Sequence, residues 1–263
     1  MLISYRTLHG LELHATDGAI GQVKDCYFSD DRWTTRYLVI ETGQWLSSRR
    51  VLIAPVALKS PDWSSGRLPV ELTKKQVKES PNVDTAEPVS RQQEAELHRY
   101  YAWPVYWGGA GYAGAGVAGT PLGGAWVPPM GAVGRADGGA EAADAALRKT
   151  GSDNEESGDP HLRSAEQVKG YAIEARDGSI GHVEDFVIDT SSWEIRFIVI
   201  DTRNWLPGRK VVVPVRAVKA VDWHERHVAV DLDRETIKES PEYDDSQPLS
   251  SDAEKQLSGY FRL

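Results

Sequence analysis

Residues 17–25 read DGAIGQVKD and residues 177–185 read DGSIGHVED. A phosphate cradle sets its glycines at the opening of a helix, where free N–H groups and the helix dipole face the anion. Here the glycines lie between two strand-like runs. Leu11, Leu13 and Ala15 alternate with polar neighbours up to Asp17-Gly18, a pair that predicts a type I′ hairpin turn. Beyond it Ile20 and Val23 fall out of two-residue phase, so Gly21 reads as a bulge that bends the strand. The same holds for Asp177, Gly178 and Gly181. All six residues are read as turn and bulge, the devices of a small bent β-structure.

The likeness of the two stretches extends outward. Laid without a gap, Gly10 to Tyr101 over Gly170 to Phe261 match at about a third of positions, which marks a duplicated domain. Trp33, Arg36, Trp45 and Leu46 fall on Trp193, Arg196, Trp205 and Leu206, and Lys78-Glu79-Ser80-Pro81 falls on Lys238-Glu239-Ser240-Pro241. Between the copies the composition changes: twelve of the 24 glycines lie from Gly108 to Gly139. We therefore expect copy one over 1–101, a flexible Gly/Ala/Pro-rich linker over 102–160 and copy two over 161–263. A coil of about 60 residues reaches about 40–46 Å, enough for the copies to meet. Its uncharged stretch carries too many glycines and prolines for a membrane span. Trp103, Tyr106, Trp107 and Trp126 make it a possible aromatic contact.

With 263 residues, 40% hydrophobic and 26% charged, the chain has the composition of a soluble globular protein. A formal charge of −9 argues against a nucleic-acid partner, whose phosphates are neutralised by Lys and Arg. A single cysteine, Cys26, excludes an internal disulfide framework. The N-terminus has no signal-peptide pattern, and a cytoplasmic location is the expectation.

Short apolar runs arrive every 8 to 15 residues with turn residues between them, the pattern of an all-β barrel or sandwich. Tyr37 to Ile40 and Phe197 to Ile200 are apolar on both faces, so the outer face needs a cover. That cover is expected from helices after the last strand. Thr73 and Asp233 are read as N-caps of a first helix ended by Pro81 or Pro241, and Ser90 with Gln93, or Ser251 with Glu254, as capping boxes of a second. The fold expected is mainly β: two small antiparallel barrels, each followed by short C-terminal helices.

These residues resemble the PRC-barrel family, found in the photosynthetic reaction-centre H subunit and the ribosome-maturation factor RimM. The resemblance rests on G-x(10)-G-x-V-x-D (Gly10 to Asp25, Gly170 to Asp185), the aromatic-then-Arg lead-in to the third strand, T-x-x-W-L, the V-L-I-A-P or V-V-V-P strand, and the helix closing in E-S-P. It is greatest to stand-alone bacterial PRC-barrel proteins. The resemblance implies a compact antiparallel barrel used as a binding or docking module, with no catalytic residues.

The candidate sites follow. Trp45 and Trp205 each sit in a loop before paired cations, Arg49-Arg50 and Arg209-Lys210, and read either as interface anchors or as caps on an open barrel end. Asp25 and Asp185 read as structural acceptors pairing with Arg36 or Arg196, and Cys26, opposite Phe186, as a core filler. His224 and His227 read as a solvated turn, with no metal site. A non-enzymatic adaptor with no cofactor is expected, docking a protein partner or self-associating through the barrels, each copy alone then dimerising. The alternatives are a small-molecule or enzyme site between the barrels and an RNA- or ribosome-associated factor.

Overall fold

The structure is a computed structural model that describes residues 1–83, 89–106, 159–202, 210–244 and 249–261. In the first copy β1 (Leu2–Ser4) runs into a one-turn helix, α1 (Tyr5–Leu8), followed by β2 (Glu12–Ala15), β3 (Gly18–Ser29), β4 (Thr34–Thr42), β5 (Arg50–Ile53) and β6 (Arg67–Pro69), then α2 (Lys74–Glu79) and α3 (Arg91–Tyr101). The second copy repeats this as β7 (Leu162–Ser164), α4 (Ala165–Val168), β8 (Ala172–Ala175), β9 (Gly178–Asp189), β10 (Ile195–Asp201), β11 (Lys210–Pro214), β12 (Val218–Asp222), β13 (His227–Val230), α5 (Arg234–Lys238) and α6 (Ser251–Tyr260). The protein is mainly β, with two sheets in two halves and short helices at the end of each.

The sheets run β5-β4-β3-β2-β6 and β11-β10-β9-β8-β13-β12, and among the described residues neither path closes on itself. One neighbour pair in each sheet departs from the antiparallel expectation: β2 lies parallel to β6 and β8 parallel to β13. A strand that returns beside the first after an even number of reversals, four from β2 to β6, meets it in the same direction.

The bulge is built as read. His14 pairs with Ala19 and Leu13 with Gly21, leaving Ile20 as the extra residue; β8 and β9 repeat the slip. A Cβ on Gly21 would stand 2.1 Å from the Glu41 carbonyl oxygen, and one on Gly181, at φ +132°, 2.0 Å from that of Asp201. Only glycine lets the bent strand approach its neighbour that closely. The turn is a correction. Ala15 pairs with Gly18 around Thr16-Asp17, and positive φ falls on Gly18 (134°) but on neither central residue, so the type I′ form is absent. Asp17 instead turns its carboxylate to the Lys74 amide at 2.8 Å, and Asp177 does the same for Arg234. The hairpin thereby caps the first turn of α2 or α5, and Asp233 makes no side-chain cap bond of its own.

Main-chain exchange joins the copies. β1 leaves its own sheet and pairs antiparallel with β9, Leu2 opposite Asp189 and Ser4 opposite Val187. In return β7 pairs with β3, Ser164 opposite Tyr27 and Leu162 opposite Ser29. Between them the Thr35 amide donates to the Trp193 carbonyl and the Ile195 amide to that of Trp33, each at 2.7 Å. Trp33 (φ 53°) and Trp193 (φ 59°) take the left-handed region to do this. Phe28 and Phe186, both fully buried, meet with ring centroids 5.8 Å apart.

The outer face of the second sheet is covered as its apolar pattern requires. Leu257 of α6 and Tyr243 pack with Phe197, Val199, Val212, Val187 and the exchanged Leu2. The cap of α6 is Ser250, whose Oγ accepts the Ala253 amide at 3.1 Å, one residue before the Ser251 expected. On α3 the Ser90–Gln93 capping box forms.

Residues 1–78 and 161–263 form one unit and 79–160 a second. Within the second, Arg91 on α3 bonds Glu94 at 2.9 Å and Asp159 at 2.7 Å, and the Tyr106 hydroxyl donates to Glu94. The Glu94 side chain is fully buried. Residues 107–158, including Trp107, Trp126 and the body of the expected flexible linker, lie outside the described residues. The two positions that flank them, Tyr106 and Asp159, are 3.4 Å apart from oxygen to oxygen.

Candidate functional site

Two places carry the residues singled out above: the pair of aspartates where the copies exchange segments, and the loop that holds Trp45.

Asp25 follows the bulge on β3, where its carboxylate points at the helix of the other copy. It accepts the Glu166 amide at 3.2 Å, the Ser164 hydroxyl at 2.5 Å, its neighbour's amide from Cys26 at 2.7 Å and the Tyr5 hydroxyl at 3.3 Å. Asp185 mirrors it, accepting the amides of Arg6 at 3.2 Å and Phe186 at 2.9 Å. Both are structural acceptors, but the expected arginine partners are wrong. Arg36 reaches Ser29 Oγ and Arg196 reaches Glu194, because the aspartates are taken by helix N-termini arriving from the other copy.

Burial raises both carboxyls above the ordinary carboxylate range, outweighing the hydrogen bonds that favour the charged form. Burial likewise raises the Tyr5 phenol, with the Asp25 and Glu166 charges adding to it. Cys26, buried against the Thr35 hydroxyl, is pushed up to about 12, which removes it as a nucleophile. A carboxyl whose folded pKa exceeds its unfolded one contributes stability that is complete below the unfolded value and lost as pH rises through the folded value. Asn at both positions keeps an acceptor for the amides and loses the charge. The melting temperature of Asp25→Asn/Asp185→Asn, minus that of the parent, should therefore rise from about pH 4 to about pH 7. Scanning fluorimetry across that range checks it; a flat difference would sink the assignment.

Trp45 stands on a one-turn 3-10 helix, Gln44–Leu46. Its indole N–H donates to the Ile20 carbonyl at 2.6 Å, and the Lys74 ammonium lies 4.5 Å over the ring. The side chain is half-buried. Arg49 bonds the Lys78 carbonyl at 3.3 Å, and Arg50 is exposed. In the second copy Trp205 and Arg209 lie outside the described residues. Lys210, the last of that set, opens β11 and bonds Glu184 at 2.9 Å.

His227 pairs with Glu174 at 3.1 Å while the His224 amide bonds Asp222, so the two histidines have separate partners. Sequence reasoning passed over Trp33 and Trp193 as lead-ins to a strand. Their signal is a pair of matched tryptophans at the end of a turn, just before the next strand, where an ordinary loop carries a small polar residue.

Among the described residues no helix is long and apolar enough to cross a membrane. The family model described as PRC-barrel domain matches residues 161–237. No curated protein matches the chain.

Proposed function

From a chain whose residues 161–237 match the family model for the PRC-barrel domain, we propose a non-enzymatic docking protein: two small β-modules, locked together by exchanged strands, that present the Trp45 loop to a protein partner. One observation supports it most. The buried ionisable groups in and beside the repeated glycine stretch, Asp25, Asp185, Tyr5 and Cys26, are engaged in bonds within the fold, whereas Trp45 is only half-buried, on the loop that leads to the exposed Arg50. Aromatic rings anchored at one edge and flanked by cations are the usual centres of interfaces. The formal charge of −9 speaks for a protein partner over nucleic acid.

The test uses the full-length protein as bait, with Arg50→Glu and Trp45→Ala as paired variants. Arg50→Glu, at an exposed site, should leave the melting temperature within about 2 °C of the parent and cut partner capture at least several-fold. Trp45→Ala should abolish capture. If Arg50→Glu captures the same proteins in the same amounts, and Trp45→Ala loses mainly stability, the loop is a lid on its own barrel.

A further inference from the structure

We propose that the two copies select each other, in preference to a second copy of themselves, through charges that are reversed between the repeats at the exchanged segments. This inference concerns how the body is assembled and does not rest on the docking role.

The apolar and main-chain part of the exchange cannot discriminate. Phe28 and Phe186, Trp33 and Trp193, and the ladders of β1 and β7 are equivalent by the repeat. Either copy could offer them to itself as readily as to the other, which is how exchanged-strand dimers of single domains form. The charged positions around them differ. Arg6 meets Glu184 at 2.9 Å across the exchange. The repeat places Glu166 where copy one has Arg6, and Lys24 where copy two has Glu184. Glu166 donates its amide to Asp25, the residue that follows Lys24. Arg6 thus faces Glu184 across the exchange, whereas the Glu166 side chain bonds Lys169 and the Tyr5 hydroxyl and Lys24 pairs with Glu41. Copy one paired with itself would bring Arg6 to Lys24, and copy two paired with itself would bring Glu166 to Glu184. Both combinations set like charges together.

A second pair points the same way. Arg163 of β7 bonds Asp30 at 2.9 Å while lying 4.4 Å over the Trp223 ring, and His161 bonds the other oxygen of Asp30 at 2.9 Å. The Asp30 side chain is only 9% exposed. In a pairing of copy one with itself Ile3 takes the place of Arg163, leaving that carboxylate facing an aliphatic chain. In a pairing of copy two with itself Thr190 takes the place of Asp30, and the arginine faces a neutral hydroxyl. Removing one partner of a largely desolvated ion pair costs far more than an exposed pair is worth. The expectation that each copy alone should dimerise is therefore replaced: self-pairing is the disfavoured combination.

The experiment keeps the full chain and its composition. Arg6→Glu/Glu166→Arg leaves the net charge unchanged, sets a like charge against Glu184 at the cross-copy contact and makes self-pairing the combination of opposite charges. At low salt this variant should melt about 3–6 °C below the parent, and light scattering should show a larger mass at high concentration as chains pair between molecules. Adding Lys24→Glu/Glu184→Lys restores opposite charges in the native arrangement and should return both readouts to the parent values. The differences should vanish near 1 M salt, where the screening length is about 3 Å. A double variant indistinguishable from the parent, a fourfold variant no better than the double, or an effect that survives high salt would each overturn the proposal.

Discussion

Deleting residues 2–8 is expected to unfold the sheet of the second copy first. The deleted stretch belongs to copy one by sequence and to copy two by pairing: β1 completes the ladder at the end of β9, and Leu2 lies in the cluster with Phe197, Val199 and Leu257. Leu2, Ile3, Tyr5 and Leu8 are each 2% exposed or less. At about 1.5–3 kcal/mol for each buried side chain, their loss removes about 6–12 kcal/mol, comparable with the whole stability of a domain, about 5–15 kcal/mol. The measurement is amide exchange by mass spectrometry. Protection should fall at residues 186–190 and along α6 while β2 and β6 stay protected. Loss confined to residues 9–78 would show that the strand serves its own copy.

Gly181→Ala is expected to be the most damaging single methyl addition. A Cβ there lies 2.0 Å from a backbone carbonyl oxygen, at a φ of +132°, so neither a rotamer change nor a small shift relieves it. The cost is about 3–5 kcal/mol, near the top of what one substitution does. In a body of this size that lowers the melting temperature by about 8–15 °C. Gly21→Ala, 2.1 Å from the Glu41 oxygen, should fall in the same range. Gly170→Ala separates clash from conformation: its φ is +85° and an added Cβ meets nothing within 4 Å, so only the left-handed penalty of about 1–2 kcal/mol applies. Thermal melts of the three variants give the order. Equal losses at Gly170 and Gly181 would remove the close approach as the reason for the glycine.

These glycines were legible because the bulge is a local event. Phase of alternation, a turn pair and a glycine sit within nine residues, and the repeat displays them twice. The order of strands, the bulge and the helical tail follow from patterns of that range. The exchange does not. LIS and LRS, the strands β1 and β7, could pair with either copy, because β3 and β9 offer both the same apolar edge. What tells the copies apart is the sign of a few charges, such as Arg6 against Glu166, and signs carry no periodicity. The partners of Asp25 were missed for a related reason: Ser164 and Glu166 lie about 140 residues away in sequence, whereas Arg36 is the near cation that local spacing suggests. Trp45 was legible as a loop tryptophan, but its bond to Ile20 depends on the bulge swinging that carbonyl toward it.

The exchange of strands also sets a timetable for synthesis. When β3 leaves the ribosome, the strand that will cover its edge at Tyr27 to Ser29 has not been made, because β7 begins at Leu162. At about 5–20 residues per second the wait is about 7–27 s, during which the nascent first copy shows an unpaired edge flanked by Phe28 and Trp33. The second copy has no such interval, since β1 was translated first and is at hand. The vulnerable half of a tandem protein is thus the one made earlier, and slowing translation across residues 107–158 should lengthen its exposure to chaperones without touching the folded state.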